Sequence, residues 1–490
     1  MNNRNRTDLK DKRPFVKRKS FIVGLIVITM HTLGVISSVN ALMSSRTAPG
    51  TVAWIVSLNT MPYVSVPAYW LFGSPKFQGY VSAMREKDSE LGLSLREKNY
   101  NIYPFIYENN SSRIKTNLEK LSKMPVLGRN SLELLIDGEK TFDCIFEGIG
   151  KAENYILVQF YIVESDSLGN ALKDLLIKKS LEGVRVYFIY DAIGSRKLPS
   201  SYIREMQDSG INVGRFRSSR SLIRQFQINF RNHRKIVVTD GKKGWIGGFN
   251  VADRYISGNP KLGSWRDTHL KIEGPAALAL QVSFMEDWYW ITDTIPELSW
   301  EPVPSETDDI PVIVIPSGPA DDFETASLMM QSLINKAEER IWITSPYFVP
   351  DEGVMGALKL AGLRGVDVRI IIPQKPDLFL VYYAAYAFLG PMIDTNIKIY
   401  RYMDGFLHSK TFLVDGDISG VGTVNLDNRS FRLNFEITAV MKDSIFTQEM
   451  SDMFENDFRR SRLMTKDDIE SKSFWRKVLS RAAYMTAPLL

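Results

Sequence analysis

The 490-residue chain has one cysteine, Cys144, and four histidines. A lone thiol excludes an intrachain disulfide and a cysteine-built metal site, and it fits a reducing compartment. Cys144 itself reads as a small, buried apolar residue. No Gly-x-x-x-x-Gly-Lys-Ser/Thr text is present, so no nucleotide-phosphate cradle is indicated. Charge is missing from residues 20–45 and again from 47–75, with Arg46 between them, and acidic residues are missing between Asp208 and Asp240. The net charge of +5 is modest for this length.

A bilayer-crossing helix needs about 20 mainly apolar residues, and each uncharged window is long enough. Residues 21–39 form the first candidate span. Residues 52–71 form the second, and Asn59, Pro62 and Pro67 imply a kinked or partly interfacial segment there. Arg4, Arg6, Lys10, Lys12, Arg13, Lys17, Arg18 and Lys19 precede the first window, against Asp8 and Asp11. The positive-inside rule keeps this end in the cytoplasm, and a two-span hairpin returns the chain there. The competing reading is a signal peptide cleaved near Val39-Asn-Ala41; the second span would still carry the chain back inward.

Two of the four histidines lie in a repeated text. His233-Arg-Lys235-Ile-Val-Val-Thr-Asp240 recurs as His408-Ser-Lys410-Thr-Phe-Leu-Val-Asp415. After six intervening residues come Gly247-Gly-Phe-Asn250 and Gly422-Thr-Val-Asn425. On an extended strand, residues two apart share a face, so each His and Lys point together while Arg234 and Ser409 point away. The apolar runs read as buried strands, and Asp240-Gly241 and Asp415-Gly416 as tight turns into a second strand. Each copy is then a hairpin carrying His, Lys and Asn, and two such hairpins face to face form a pocket suited to a phosphodiester.

Displacement at phosphorus needs a nucleophile, a proton donor for the leaving alkoxide and fixed positive charge around the phosphoryl oxygens. One histidine can attack and the other transfer protons, while Lys235, Lys410, Asn250 and Asn425 hold the charge. A lysine beside each histidine, with no carboxylate cluster, disfavours a metal. Asp267, in Trp265-Arg-Asp267-Thr-His269, and Glu436, in Leu433-Asn-Phe-Glu436, lie in comparable places. They are expected to orient His233 and His408 respectively; the alternative is a pair of acids making surface contacts. Asp240 and Asp415 complete the motif, but an Asp before Gly is turn chemistry, and both read as structural.

The duplication is wider than the motif. Tyr155-Ile-Leu-Val-Gln-Phe-Tyr161 aligns with Ile341-Trp-Ile-Thr-Ser-Pro-Tyr347, and Leu181-Glu-Gly-Val-Arg-Val186 with Leu363-Arg-Gly-Val-Asp-Val368. Each half reads strand, helix, Gly-Val turn, strand, which is an α/β unit present twice. The expected organisation is a basic N-terminus with two transmembrane helices over 1–75 and a linker or amphipathic region over 76–125. The halves then occupy 126–295 and 312–490, with a Pro- and acid-rich seam over 296–311. Arg215, Arg217, Arg220, Arg224, Arg231 and Arg234 alternate with Phe216, Phe226 and Phe230 before and within the first motif. That tract can hold anionic headgroups, hold a nucleic-acid backbone, or be a solvated loop. The uncharged stretch 378–389 reads first as a core helix and second as an acyl-chain entrance. The stretch 474–490 is an amphipathic surface helix or the cover of a domain edge.

These motifs resemble the phospholipase D superfamily and, more narrowly, the bacterial cardiolipin synthases. The narrower resemblance is carried by Val158-Gln-Phe-Tyr161, Tyr190-Asp-Ala-Ile-Gly-Ser195, Arg231-Asn-His-Arg-Lys235, Thr344-Ser-Pro-Tyr-Phe-Val-Pro350, Gly422-Thr-Val-Asn-Leu-Asp427, Arg429-Ser430 and Pro488-Leu-Leu490. The resemblance implies two duplicated α/β/α halves packed around one active site, preceded by a transmembrane helical hairpin. It implies reversible transfer of a phosphatidyl group between two phosphatidylglycerol molecules, giving cardiolipin and glycerol through a phosphohistidine on His233. The implied catalytic set is His233, Lys235, Asp240, His408, Lys410 and Asp415, with Asn250, Asn425 and Thr423 at the phosphate. No cofactor, metal or nucleic acid is implied, and the place of action is the inner membrane with the catalytic part facing the cytoplasm. A lipid hydrolase using water, a superfamily nuclease and an idle membrane scaffold are the competing classes; the scaffold is disfavoured because both His and both Lys are present. Two departures stand out: Gly248 where many members have Ser, which implies fewer hydroxyl donors to phosphate, and Ile393-Asp-Thr-Asn396, which lacks the Gly expected before the next strand.

Overall fold

The structure is a computed structural model and describes residues 13–44, 47–73, 80, 102–108, 113–217 and 229–490. The chain divides into two units, one holding the N-terminal helices and the other an α/β body.

In the N-terminal unit the helix Arg13–Ser44 contains one uninterrupted apolar segment, Phe21–Ser44, of 24 residues. Among the described residues it is the one helix long and apolar enough to cross a membrane. The second expected span is not a single helix. It breaks at Met61 into Ala48–Thr60 and Pro62–Phe72, because Pro62 has no N–H to continue the hydrogen-bond ladder. Both pieces fold back on the first helix: Asn59 Nδ2 donates to Ser38 Oγ at 2.8 Å, and the Tyr69 hydroxyl donates to Asn40 Oδ1 at 2.7 Å. Ala41, Leu58, Val66 and Tyr69 form the small core between them. Of the basic residues expected to set orientation, Arg4, Arg6, Lys10 and Lys12 lie outside the described residues.

In the α/β body the repeat read from the sequence is a repeat of topology. Tyr155–Phe160 lies between Arg185–Asp191, parallel, and Ile236–Thr239, antiparallel. Arg340–Thr344 lies in the same way between Asp367–Pro373 and Thr411–Val414. The motif strands are closed by Lys243–Gly247 and Ile418–Gly422 respectively. These strands are buried on both faces, which is why they read as continuous apolar runs without alternation. The half-sheets join where Leu127–Ile136 meets Ile310–Ser317 antiparallel, with Leu127 opposite Val312, so one sheet runs through both halves. The helix Phe379–Ile393 buries Ala384, Leu389 and Met392 in the second core but leaves its first residues exposed. Arg215 and Arg217 close the strand Asn212–Phe216 or follow it, while Arg220, Arg224 and Phe226 lie outside the described residues, as does most of 76–125.

The turn chemistry explains one departure. In the first half Gly210, with φ of 84°, leads into Asn212–Phe216; in the second, Asn396, with φ of 60°, leads into Lys398–Tyr402. Asn is the non-glycine residue that best tolerates the left-handed region, so the expected glycine is replaced at small cost. Asn396→Gly should leave stability within about 0.5 kcal/mol, whereas Asn396→Val should lower it by about 1–2 kcal/mol. Denaturant unfolding of the full chain checks both.

Candidate active site

Each motif histidine follows a two-residue strand that pairs with the opposite half. Arg231–Asn232 runs parallel to the start of Asn434–Lys442, with Asn434 opposite Arg231 and Phe435 opposite Asn232, and the His233 N–H donates to the Phe435 carbonyl at 2.9 Å. Phe406–Leu407 runs parallel to Trp265–Arg266, and the His408 N–H donates to the Arg266 carbonyl at 2.8 Å. The acid strands therefore serve the other half's histidine. His233 Nδ1 lies 2.8 Å from Glu436 Oε2, and His408 Nδ1 lies 2.6 Å from Asp267 Oδ2. This corrects the expected pairing of Asp267 with His233 and Glu436 with His408: both acids face motif histidines, but across the boundary between halves.

His233 and His408 line one cavity of about 860 Å³, together with Tyr161, Asn250, Asn425 and Tyr255. With each Nδ1 held by a carboxylate, Nε2 is the ring nitrogen left for the cavity. Lys235 and Lys410 are buried behind the rings, each with Nζ on its histidine's backbone carbonyl, at 2.6 Å for Lys235. Asn250 accepts from the Ile162 N–H at 3.1 Å and donates to the Tyr255 hydroxyl at 2.8 Å. The buried Asn425 amide oxygen has no hydrogen-bond partner among the described residues. Among those residues, too, no group of three or more His, Cys, Asp or Glu is placed to hold a metal ion.

Three motif residues have other duties. Asp240, with φ of 53°, accepts from the backbone N–H groups of Glu153, Asn154 and Tyr155 at 2.7–2.9 Å. Asp415, with φ of 52°, accepts from those of Glu338, Glu339 and Arg340. Both sit at the far ends of their strands, away from the cavity, which corrects their place in the catalytic set. Thr423 is fully buried and absent from the cavity wall; its hydroxyl accepts from the Ile437 N–H at 2.9 Å and donates to the Ile437 carbonyl, tying the Gly-x-Asn element to the Glu436 strand instead of reaching phosphate. A Cβ at Gly248 would collide with the Asp267 carboxylate, so a hydroxyl side chain there is excluded by the acid that holds His408.

Two acids escaped the sequence reading. Asp287, on the helix Ala276–Thr292, accepts from Gln159 and Asn232 at 2.7 Å each, from Arg234 at 3.0 Å and from Tyr80 at 3.1 Å. Arg234 also donates to the Glu436 carbonyl at 3.1 Å, so Asp287 braces both partners of the His233 pair. Asp457, on Ser444–Arg459, holds Arg266 with contacts of 2.9 and 2.8 Å beside the His408 pair. The signal that could have found them is positional: Asp287 and Asp457 follow Asp267 and Glu436 by twenty and twenty-one residues in the two repeats.

Burial dominates the electrostatics. Desolvation lowers His233 to about 4 despite Glu436, and it lowers His408 well below its usual value, reinforced by Lys410 and Lys235. His269, buried outside the motifs, falls to about 3, and Lys410 to about 8, both by desolvation. The cleft thus holds neutral imidazoles next to lysines, and a neighbouring anion favours their protonated form.

The family described as cardiolipin synthase, PLD-like domain, matches residues 145–288 and 330–458. Cardiolipin synthase A of Pseudomonas putida is 42% identical over 478 residues, covering 96% of this chain and 98% of that protein. Cardiolipin synthase A of Pseudomonas aeruginosa is 41% identical over 490 residues, 99% of each. Phosphatidylserine synthase of Haemophilus influenzae shares the fold, with a TM-score of 0.60 at 14% identity over 77% of this chain and all of that one.

Asp240→Ala removes the acceptor for three backbone N–H groups and should cost about 2 kcal/mol in thermal unfolding, with residual activity tracking the folded fraction. Unfolded imidazoles bind protons near pH 6.5, but folded His233 only near 4 and His269 near 3. Between those values the unfolded chain holds more protons, so stability is fully present above pH 6.5 and is lost as pH falls toward 4. Melting curves from pH 7 to 4.5 should show this decline, and a flatter one for His269→Gln.

Proposed function

Because this chain belongs to the cardiolipin synthase family of phospholipase D-like proteins, we propose that it transfers a phosphatidyl group from one phosphatidylglycerol to another, giving cardiolipin and free glycerol. The observation that carries the reading is a single cavity lined by two histidines, each held through Nδ1 by a carboxylate of the opposite half. One phosphodiester is exchanged for another, so the exchange runs without a nucleotide to drive it.

In the first step His233 Nε2 attacks phosphorus; an N–P bond forms, the P–O bond to glycerol breaks, and protonated His408 gives its proton to the leaving oxygen. In the second, His408 takes the proton from the terminal hydroxyl of the second phosphatidylglycerol. The new P–O bond forms, and the N–P bond breaks with its electron pair returning to His233. The anionic substrate raises the basicity of His408 in an otherwise desolvated site, so that His408 takes up a proton from water as the substrate binds. Asn425, on the cavity wall, meets the phosphoryl oxygens through its amide N–H groups, while Lys235 and Lys410, buried beside the histidines, act on that negative charge through their field. Glu436 and Asp267 hold tautomer and orientation and balance each imidazolium as it forms.

In the bilayer, Phe21–Ser44 crosses with the basic N-terminal end on the cytoplasmic side, and Ala48–Thr60 and Pro62–Phe72 fold against each other beside it, with the Trp54 and Tyr69 rings 5.2 Å apart.

Purified full-length protein in phosphatidylglycerol vesicles with chelator should release cardiolipin and glycerol in equal amounts. Phosphatidic acid as the main product would mean that water is the acceptor, and this reading would fall. His233→Ala and His408→Ala should each lower turnover by at least about a thousandfold, since the two act as a unit. Acid quenching should trap the lipid on the peptide containing His233; an adduct on the His408 peptide would reverse their roles.

A further inference from the structure

The helix Phe474–Tyr484 is amphipathic, yet its apolar side faces out. At about 3.6 residues per turn, Phe474, Trp475, Val478, Leu479 and Met485 fall on one side. Phe474, Trp475 and Met485 are 71%, 76% and 81% exposed, and Val478 and Leu479 are exposed as well. The opposite side makes the contact with the body: Ala483 is buried, and the Tyr484 ring packs 5.2 Å from that of Phe388. A helix that merely covers a protein edge does the reverse and buries its apolar stripe. Arg476, Lys477 and Arg481 flank the exposed stripe, and the helix has no acidic residue.

The supporting helix Phe379–Ile393 adds to the same kind of surface. Leu378, Phe379 and Leu380 at its start are exposed, Phe379 by 67%. Leu378 and Val381 line the catalytic cavity, so this apolar edge is continuous with the cavity's rim. On Phe474–Tyr484 the large apolar side chains are bordered by cations alone, which complements a leaflet carrying anionic headgroups.

We propose that Phe474–Tyr484, with Leu378, Phe379 and Leu380, is an interfacial docking surface that seats the catalytic body on an anionic lipid leaflet, in addition to the apolar N-terminal helix. Acyl chains then approach the cavity along an apolar rim without crossing open water. The surface serves any lipid phosphodiester, so its failure would leave the transfer reading standing, and failure of that reading would leave the surface standing.

The test uses the full chain with Cys144→Ser and Trp475→Cys, labelled with an environment-sensitive fluorophore and reconstituted into phosphatidylglycerol–phosphatidylcholine vesicles. Lys151→Cys, at an exposed position in the first half, is the control. Spin-labelled lipid should quench the label at 475 at least threefold more than the label at 151, and iodide should quench it less. Iodide access without lipid quenching would overturn the proposal. So would protection from both quenchers, which would place a second copy or another protein on the helix. In parallel, Trp475→Asp/Leu479→Asp should reduce turnover of long-chain phosphatidylglycerol in vesicles at least fivefold more than turnover of a monomeric short-chain analogue; equal change on both substrates would overturn it. A double variant that fails to fold leaves the labelled chain to decide.

Discussion

The candidate site depends on two short parallel strand pairings that cross the boundary between the halves. Arg231–Asn232 docks on the Glu436 strand, and Phe406–Leu407 docks on the Asp267 strand. Each pairing delivers a histidine to a carboxylate that is fully buried. A buried carboxylate without a partner is expensive, and so is a buried imidazolium, so each half supplies the group that makes the other's burial tolerable. Neither half alone holds a complete histidine–carboxylate pair. Duplication here yields one site rather than two, because the exchange is reciprocal.

The same burial sets the resting electrostatics. The imidazoles stay neutral because desolvation outweighs the nearby carboxylates, and the lysines behind them push in the same direction. A site poised this way binds protons together with an anion. That suits a proposed chemistry in which one histidine must attack while the other donates. Asp287 and Asp457 stabilise the arrangement from behind through Arg234 and Arg266, two arginines at non-equivalent places in the repeats. The repeats have thus kept the brace and changed the residue that receives it.

Much of this was legible in the primary structure, for physical reasons that differ by element. The hairpins could be read because buried strands need unbroken apolar runs, and because Asp-Gly pairs permit the left-handed turn seen at Asp240, where φ is 53°. That His233 and Lys235 share one face while Arg234 leaves it follows from the two-residue strand period. The apolar segment Phe21–Ser44 was plain from the absence of charge. The break at Met61 was only partly so, because a proline can kink a helix or end it, and neighbouring packing chooses between these. Thr423 misled because a hydroxyl next to a site residue looks available, whereas here a strand crossing in register has already engaged it. Gly248 looked like a lost donor, but its missing side chain makes room for Asp267.

By itself, the order of amino acids determined the local chemistry: which residues form strands, which share a face, where turns fall, and that two His–Lys pairs and two acids exist to be combined. Those are short-range properties, set by side-chain volume, polarity and backbone period within a few residues. Only the tertiary structure decided that Glu436 serves His233 and Asp267 serves His408, that Asp287 and Asp457 brace them, and that the Phe474–Tyr484 helix turns its apolar side outward. Sequence distance carries no information on which of two equivalent acids a histidine will meet. That choice was made by the docking of two half-sheets, whose register exists only once both have folded.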